Sequence, residues 1–170
     1  MSPMVTYEGH KDHITSLAIA PDGKTALSGS VDKTVHLWNV ETGKRIAIFD
    51  EDFGGPISAL AFSLDRHFIG IGSEDQRVQV RDAMEHNVLF TYQHNGAVND
   101  LDFSYDSQFI ASAGDDAVLI YGMDGNLRYP YTKHNGSVST VKWIPPKAHL
   151  GPGQWVISSS GHEVKVWRGR

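Results

Sequence analysis

Nine histidines and twenty carboxylates supply most of what this 170-residue chain has for chemistry. The densest group is His10-Lys11-Asp12-His13, two imidazoles and a carboxylate within four residues. A metal site needs three or four converging ligands with outer partners to orient them. A short loop offers no common ligand face, so no metal is expected here. Paired carboxylates stand at Glu51-Asp52, Glu74-Asp75 and Asp115-Asp116. Glycoside hydrolysis sets two carboxyls roughly 5–10 Å apart across a cleft. The second and third pairs instead fall in turns, where aspartates bond to their own backbone. No Gly-x-Ser-x-Gly elbow, phosphate-binding Gly-Lys loop or dinucleotide fingerprint is present. Cysteine is absent, which removes disulfides, thiolate catalysis and Cys-based zinc sites. His36 lies in an alternating segment and reads as a surface histidine. His162 reads as a turn residue able to titrate near neutrality. The expectation is therefore a protein with no catalytic residues, no cofactor and no metal.

The elements that carry these residues repeat. Four segments share one pattern: Ile14–Ile19, Ile57–Phe62, Val98–Phe103 and Val138–Trp143. Each is followed by a turn signal, at Pro21-Asp22-Gly23, Asp65, Asp106 or Pro145-Pro146. A second apolar run follows, then an alternating third, Val35/Leu37, Val78/Val80, Val118/Ile120 and Val164/Val166. The unit closes at Trp38, Arg81, Tyr121 and Trp167, which are 43, 40 and 46 residues apart. That spacing is the propeller-blade period of about 40–45 residues. The runs are short, rich in Val and Ile, and broken by Gly, Pro, Asp and Asn, which argues for strands. Arg81 to Phe90 alone has helix propensity. Within the first strand of each unit the apolar residues are spaced three and then two, where a plain strand repeats every two. A shared β-bulge is expected in all four units. Fourth strands are expected near Arg45–Phe49, Val88–Tyr92 and Asn126–Tyr131, with none in unit four. Lys147 to Gly153 reads as an inserted mobile surface loop.

Composition narrows the class. Hydrophobic residues make up 40% and charged residues 21%, as in soluble globular chains. A formal net charge of −5 argues against direct nucleic-acid binding. No apolar run approaches the ~18 residues of a membrane span, and Met1-Ser2-Pro3-Met4 lacks a signal-peptide pattern. A cytoplasmic location is expected, with the nucleus as the alternative, and no membrane insertion.

Gly9-His10, Ser28-Gly29-Ser30, Asp32-Lys33-Thr34 and Trp38-Asn39 resemble the WD-repeat family of β-propellers, and the likeness recurs in tandem from about Val5 to Arg168. Within the family there is a loose likeness to the receptor-for-activated-C-kinase branch, carried by Asn126–Tyr131 followed by Lys147–Gly153; G-protein β subunits fit about as well. The resemblance implies an all-β fold, an arc of four blades, each a four-stranded antiparallel sheet. The blades run approximately over 8–50, 51–92, 93–132 and 133–170, with 4–7 as an extra or closing strand. It also implies a buried His–Ser–Asp–Trp hydrogen-bond network in each blade. Unit one supplies His10, Ser28, Asp32 and Trp38. Unit three retains His94, Ser112 and Asp116, with Tyr121 in place of Trp. Unit four retains His134, Ser158 and Trp167, with His162 where Asp is expected. Unit two keeps only Asp75, beside Phe53, Ile71 and Arg81, so packing is expected to hold that blade instead.

By the same resemblance, the function is non-catalytic scaffolding that binds proteins or peptides. The contact face is the family's top face, built from Lys11–His13, Gly54–Pro56, Asn95–Ala97 and Asn135–Ser137. Turns add Val31, Glu74, Asp115 and Gly161. The candidate partner-binding residues are His13, Val31, Glu74, Asn95, Asp115 and Asn135. The acidic tilt at Glu74 and Asp115 favours a basic or polar peptide. Four blades fall short of the number usual in the family. The alternative role is thus a structural arc of a larger or dimeric propeller, completed by further blades or by another copy of the chain, within a multiprotein assembly such as a ribosome-associated scaffold. An enzyme or small-ligand propeller is the remaining class.

Overall fold

The Val- and Ile-rich runs form strands, and each Gly, Pro or Asp cluster between them forms a turn. The structure is a computed structural model describing residues 4–50, 53–115, 117–146, 150–151 and 153–169. Blade one contains β1 (Ile14–Ile19), β2 (Thr25–Ser30), β3 (Val35–Asn39) and β4 (Arg45–Phe49). Blade two contains β5 (Ile57–Phe62), β6 (Phe68–Ser73), β7 (Arg77–Asp82) and β8 (Val88–Gln93). Blade three contains β9 (Val98–Phe103), β10 (Phe109–Gly114), β11 (Val118–Gly122) and β12 (Leu127–Tyr131). Blade four has three described strands, β13 (Thr140–Ile144), β14 (Trp155–Ser160) and β15 (Glu163–Arg168). Every blade is an antiparallel meander of sequential neighbours. The helix-prone stretch after Arg81 is taken by the β7–β8 hairpin.

The hydrophobic cores lie between blades. Leu27, Val35 and Leu37 of blade one meet Ile57, Ile69 and Ile71 of blade two. Val78 and Val80 then meet Val98, Leu101 and Phe103, and Val118 and Ile120 meet Val138, Val141 and Trp143. Full burial of each such aliphatic side chain contributes about 1.5–3 kcal/mol. Gly72 makes the close approach feasible, since a Cβ there would lie 2.6 Å from Val98 Cγ1. Polar latches repeat along the inner strands. The hydroxyls of Thr15 and Ser58 donate to the carbonyls of Ile57 and Val98, and Asn99 Nδ2 donates to the Val138 carbonyl at 2.9 Å. Blades three and four are further clamped by carboxylates. Asp102 accepts the Trp143 amide at 2.7 Å, and Asp100 accepts from Lys142 Nζ at 3.0 Å.

Two details differ from the sequence reading. Bulges occur where β1, β5 and β9 begin, but β13 pairs in even register. Val138, where the fourth bulge would begin, is diverted: its amide donates to the Gly114 carbonyl of blade three at 2.9 Å, while the Ser139 amide still donates to Ser159 of β14 at 2.9 Å. Residues 5–7 form no strand. They lie on blade one, where the Tyr7 ring stacks on Trp38 with centroids 5.3 Å apart. The Lys147–Gly153 insertion lies largely outside the described residues.

Candidate functional site

The support of the site is an ordered chain of hydrogen bonds in blade one. Asp32 accepts the Lys11 amide at 2.8 Å, the Thr34 amide at 3.0 Å and the Thr34 hydroxyl at 2.6 Å. Burial pushes its carboxyl up, but these bonds and His10 outweigh it and hold the group well below the usual carboxylate range. An ionised carboxylate only accepts, so His10 donates through Nδ1 at 3.0 Å. His10 Nε2 is then an acceptor for the Ser28 hydroxyl at 2.8 Å. On the other side His36 Nε2 donates to Thr34 Oγ1 at 3.1 Å, and His36 Nδ1 accepts the Tyr7 hydroxyl at 2.8 Å. His10 Nδ1 also lies 3.2 Å from Thr34 Oγ1, and His10 Nε2 lies 3.2 Å from the Ser28 carbonyl oxygen, so the ring is held from both sides.

His36 corrects the expectation of a surface histidine: only 3% of it is exposed. Its ring stacks on His10 at 3.9 Å, a place no alternation pattern reveals. Burial first, then the neighbouring His10, lowers its titration to about 4. Trp38 supplies a second correction. Its indole nitrogen is buried and has no hydrogen-bond partner among the described residues, so stacking on Tyr7 holds the ring instead of a bond to Ser28.

The other blades vary the theme. In blade four His134 Nε2 and Trp167 Nε1 both reach Ser158 Oγ, at 2.7 and 3.1 Å. His162 is exposed, and His134 Nδ1 has no partner among the described residues. In blade three His94 Nε2 lies 2.6 Å from Ser112 Oγ, and the Tyr92 hydroxyl donates to the same oxygen at 3.1 Å. Tyr92 stacks on Tyr121 at 3.7 Å, so a phenol from the preceding blade stands in for the indole N–H. Asp116 lies outside the described residues. In blade two Asp75 accepts the Gly54 amide at 2.6 Å and Arg77 Nε at 2.9 Å. Phe53 and Ile71 are buried, but packing is not the whole support. Arg81 is also buried; it donates to Gln79 Oε1 at 2.6 Å and to the His86 carbonyl at 2.9 Å, and lies 4.5 Å over the Phe49 ring.

One register unites these contacts. Tyr7, Phe49, Tyr92 and Tyr131 each stack on the closing residue of the next unit: Trp38, Arg81, Tyr121 and Trp167. A single aromatic just ahead of each unit is the sequence signal that would have located it.

These supports sit beneath one end of the blades. The loop entering the first strand and the turn between second and third strands meet there. The Val31 amide donates to the His13 carbonyl at 3.0 Å, and the Glu74 amide to the Pro56 carbonyl at 2.9 Å. Asp115 accepts the Ser137 hydroxyl at 2.9 Å, joining blades three and four. His13, Val31, Glu74, Asn95, Asp115 and Asn135 are all exposed at this end. No cluster of three metal-binding side chains occurs among the described residues. No helix is long and apolar enough to cross a membrane.

Comparison with known proteins agrees with the repeats. The family profile described as WD domain, G-beta repeat matches residues 1–39 and 86–121. Protein groucho of Drosophila melanogaster is 26% identical over 113 residues, covering 66% of this chain and 15% of that protein. A guanine nucleotide-binding protein subunit beta of Oryza sativa subsp. indica is 34% identical over 116 residues, covering 64% and 30%. The crystal structure of RRP9 WD40 repeats superposes with a TM-score of 0.85 at 20% identity, over 94% of this chain and 49% of that one. The structure of U3-55K gives 0.85 at 19%, over 95% and 50%. The chain thus spans about half of those structures and at most 30% of the two curated relatives. The matched profile marks WD repeats at residues 1–39 and 86–121, and the four tandem blade sheets share the WD40 β-propeller fold of these neighbours.

Proposed function

We propose that this chain is a non-catalytic WD-repeat scaffold that binds a protein or peptide through its loop end. The observation that carries this reading is a division of labour at that end. His10, Asp32, His94 and Asp75 turn inward to fix the loops, while His13, Val31, Glu74, Asn95 and Asn135 stand exposed on them. Varied side chains on a rigid frame are the usual basis of loop recognition. Glu74 and Asp115 favour a basic or polar peptide by charge. The named relatives include Protein groucho and a guanine nucleotide-binding protein subunit beta, a spread that suits one frame with different loop faces. The test is affinity capture with wild type and Glu74→Lys. The variant should lose specific partners and keep its melting midpoint; an unchanged profile contradicts the reading.

One observation favours a second role, as an arc within a larger or paired propeller. Leu17 and Ile19 are 66% and 62% exposed, whereas their counterparts in blade three, Leu101 and Phe103, are 2% and 6% exposed. Blade one therefore presents half of an inter-blade core. Val164 and Val166 present the other half on blade four. We assign these faces to further blades, from the same polypeptide or from a second copy.

A further inference from the structure

The junction between blades one and two is hollow where the next junction is filled. The two can be superimposed by their own hydrogen bonds. The amides of Ala20 and Ser63 donate to the carbonyls of Thr25 and Phe68, so these two residues are equivalent. The amides of Ala83 and Met123 donate to the carbonyls of His67 and Gln108, which equates Ala83 with Met123. Strand pairing of Leu37 with Ala47, and of Val80 with Phe90, equates Ala47 with Phe90. At the second junction Phe68, Phe90 and Met123 pack against the core. Their counterparts at the first junction are a threonine and two alanines.

The consequence is an open cleft of about 630 Å³, a volume within the range of ligand sites. Leu37, Ile46 and Phe62 wall it, and Thr25 and Ala83 lie where the bulky groups are missing. Asp22, Asp65 and Arg66 line its rim. Arg66 Nη1 is bound to Asp22 Oδ2 at 3.1 Å. Asp22 and Asp65 outnumber Arg66 on the rim, and Asp82 beside His67 and His86 offsets Lys24 beside Asp22, which leaves the rim with a net negative charge while both histidines are neutral. The strand-turn end that forms this rim is opposite the loop end, so the cleft is separate from the face proposed above.

We propose that this cleft binds an aromatic side chain carried on a positively charged peptide segment of a partner protein. The missing rings define the anchor, and the acidic rim defines the flanking charge. The reading does not depend on the loop-end function.

The test is a nitrogen-15 NMR titration of the 170-residue chain with three blocked peptides: acetyl-Lys-Phe-Phe-Lys-amide, acetyl-Glu-Phe-Phe-Glu-amide and acetyl-Lys-Ala-Ala-Lys-amide. The first should shift the amides of Thr25, Ala83 and Met84, and should bind at least about tenfold tighter than the third, the worth of one desolvated anchor. Thr25→Phe/Ala83→Met, which rebuilds the filled junction, should weaken it about tenfold with the fold intact. Should that variant misfold, Ile46→Ser, at an exposed wall position, should weaken binding about threefold. Asp65→Asn should erase the preference for the Lys over the Glu peptide. Equal affinity in the filled variant, or in Ile46→Ser where the filled variant misfolds, would overturn the proposal. So would shifts confined to the loop end or to β1, or equal binding of the Glu peptide.

Discussion

At the scale of single residues, blade one draws stability from the hydrogen bonds that converge on Asp32 and His10. Removing the carboxylate by Asp32→Ala strands the Lys11 amide, the Thr34 amide and His10 Nδ1 at once. The expected cost is ~1–3 kcal/mol, read from chemical denaturation; a loss of only a few tenths would remove Asp32 from the network. His36 makes the same chain sensitive to acid. Its folded value of about 4 lies below the ordinary 6.5, because burial first and the neighbouring His10 next disfavour a charged His36 ring. The unfolded chain therefore binds the proton more readily, and stability falls as pH drops from 6.5 toward 4. An NMR titration should show one imidazole with a midpoint near 4, absent in His36→Gln; a midpoint near 6.5 would mean that the ring is solvated.

At the scale of strands and blades, the junctions are held by apolar cores and by polar side chains reaching across. Asp102 joins β9 to β13, and its surroundings are not neutral to that role. Burial pushes its carboxyl up to about 6, while the Trp143 amide and Lys142 pull it down less strongly. A folded value raised above the ordinary 3.8 means that the folded state holds the proton more tightly. Its contribution is present below pH 4 and lost as pH rises through 6. Asp102→Asn keeps an acceptor for Trp143 and cannot ionise. It should leave stability near wild type at pH 4 and raise the melting midpoint above pH 7; a lower midpoint at pH 7 would show that the charge is needed. The strands were legible because Val35/Leu37 and its three counterparts repeat with period two inside a longer period of about 40–45 residues. The first-strand bulges were legible in three blades from the same residue spacing. The fourth was not, because it depends on the Val138 amide finding Gly114 in another blade, a contact between residues far apart in sequence. His36 was misread for a related reason. Alternation assigns one face to core and the other to solvent, and blade one buries both by laying Tyr7 and His10 over β3. Arg81 likewise looked like a lost tryptophan, whereas its guanidinium occupies the ring's place over Phe49.

At the scale of the whole molecule, the arc has an apolar face at each end and an acidic-leaning loop surface between them. Contiguous exposed apolar patches mark interaction sites. Leu17→Lys/Ile19→Lys alters only exposed side chains, so the fold should persist while any self-association seen by sedimentation is abolished. Association unaffected by the variant would place the contact elsewhere. The loop end carries the central claim, because its inward residues support it while its outward residues stand exposed to a partner. Glu74 is the cleanest probe, being exposed on a turn whose backbone is fixed through Pro56. The direct measurement is quantitative capture by Glu74→Lys and wild type, side by side with their melting midpoints. The account predicts specific partners lost from the variant at an unchanged midpoint. An identical set of partners captured by both proteins would contradict it.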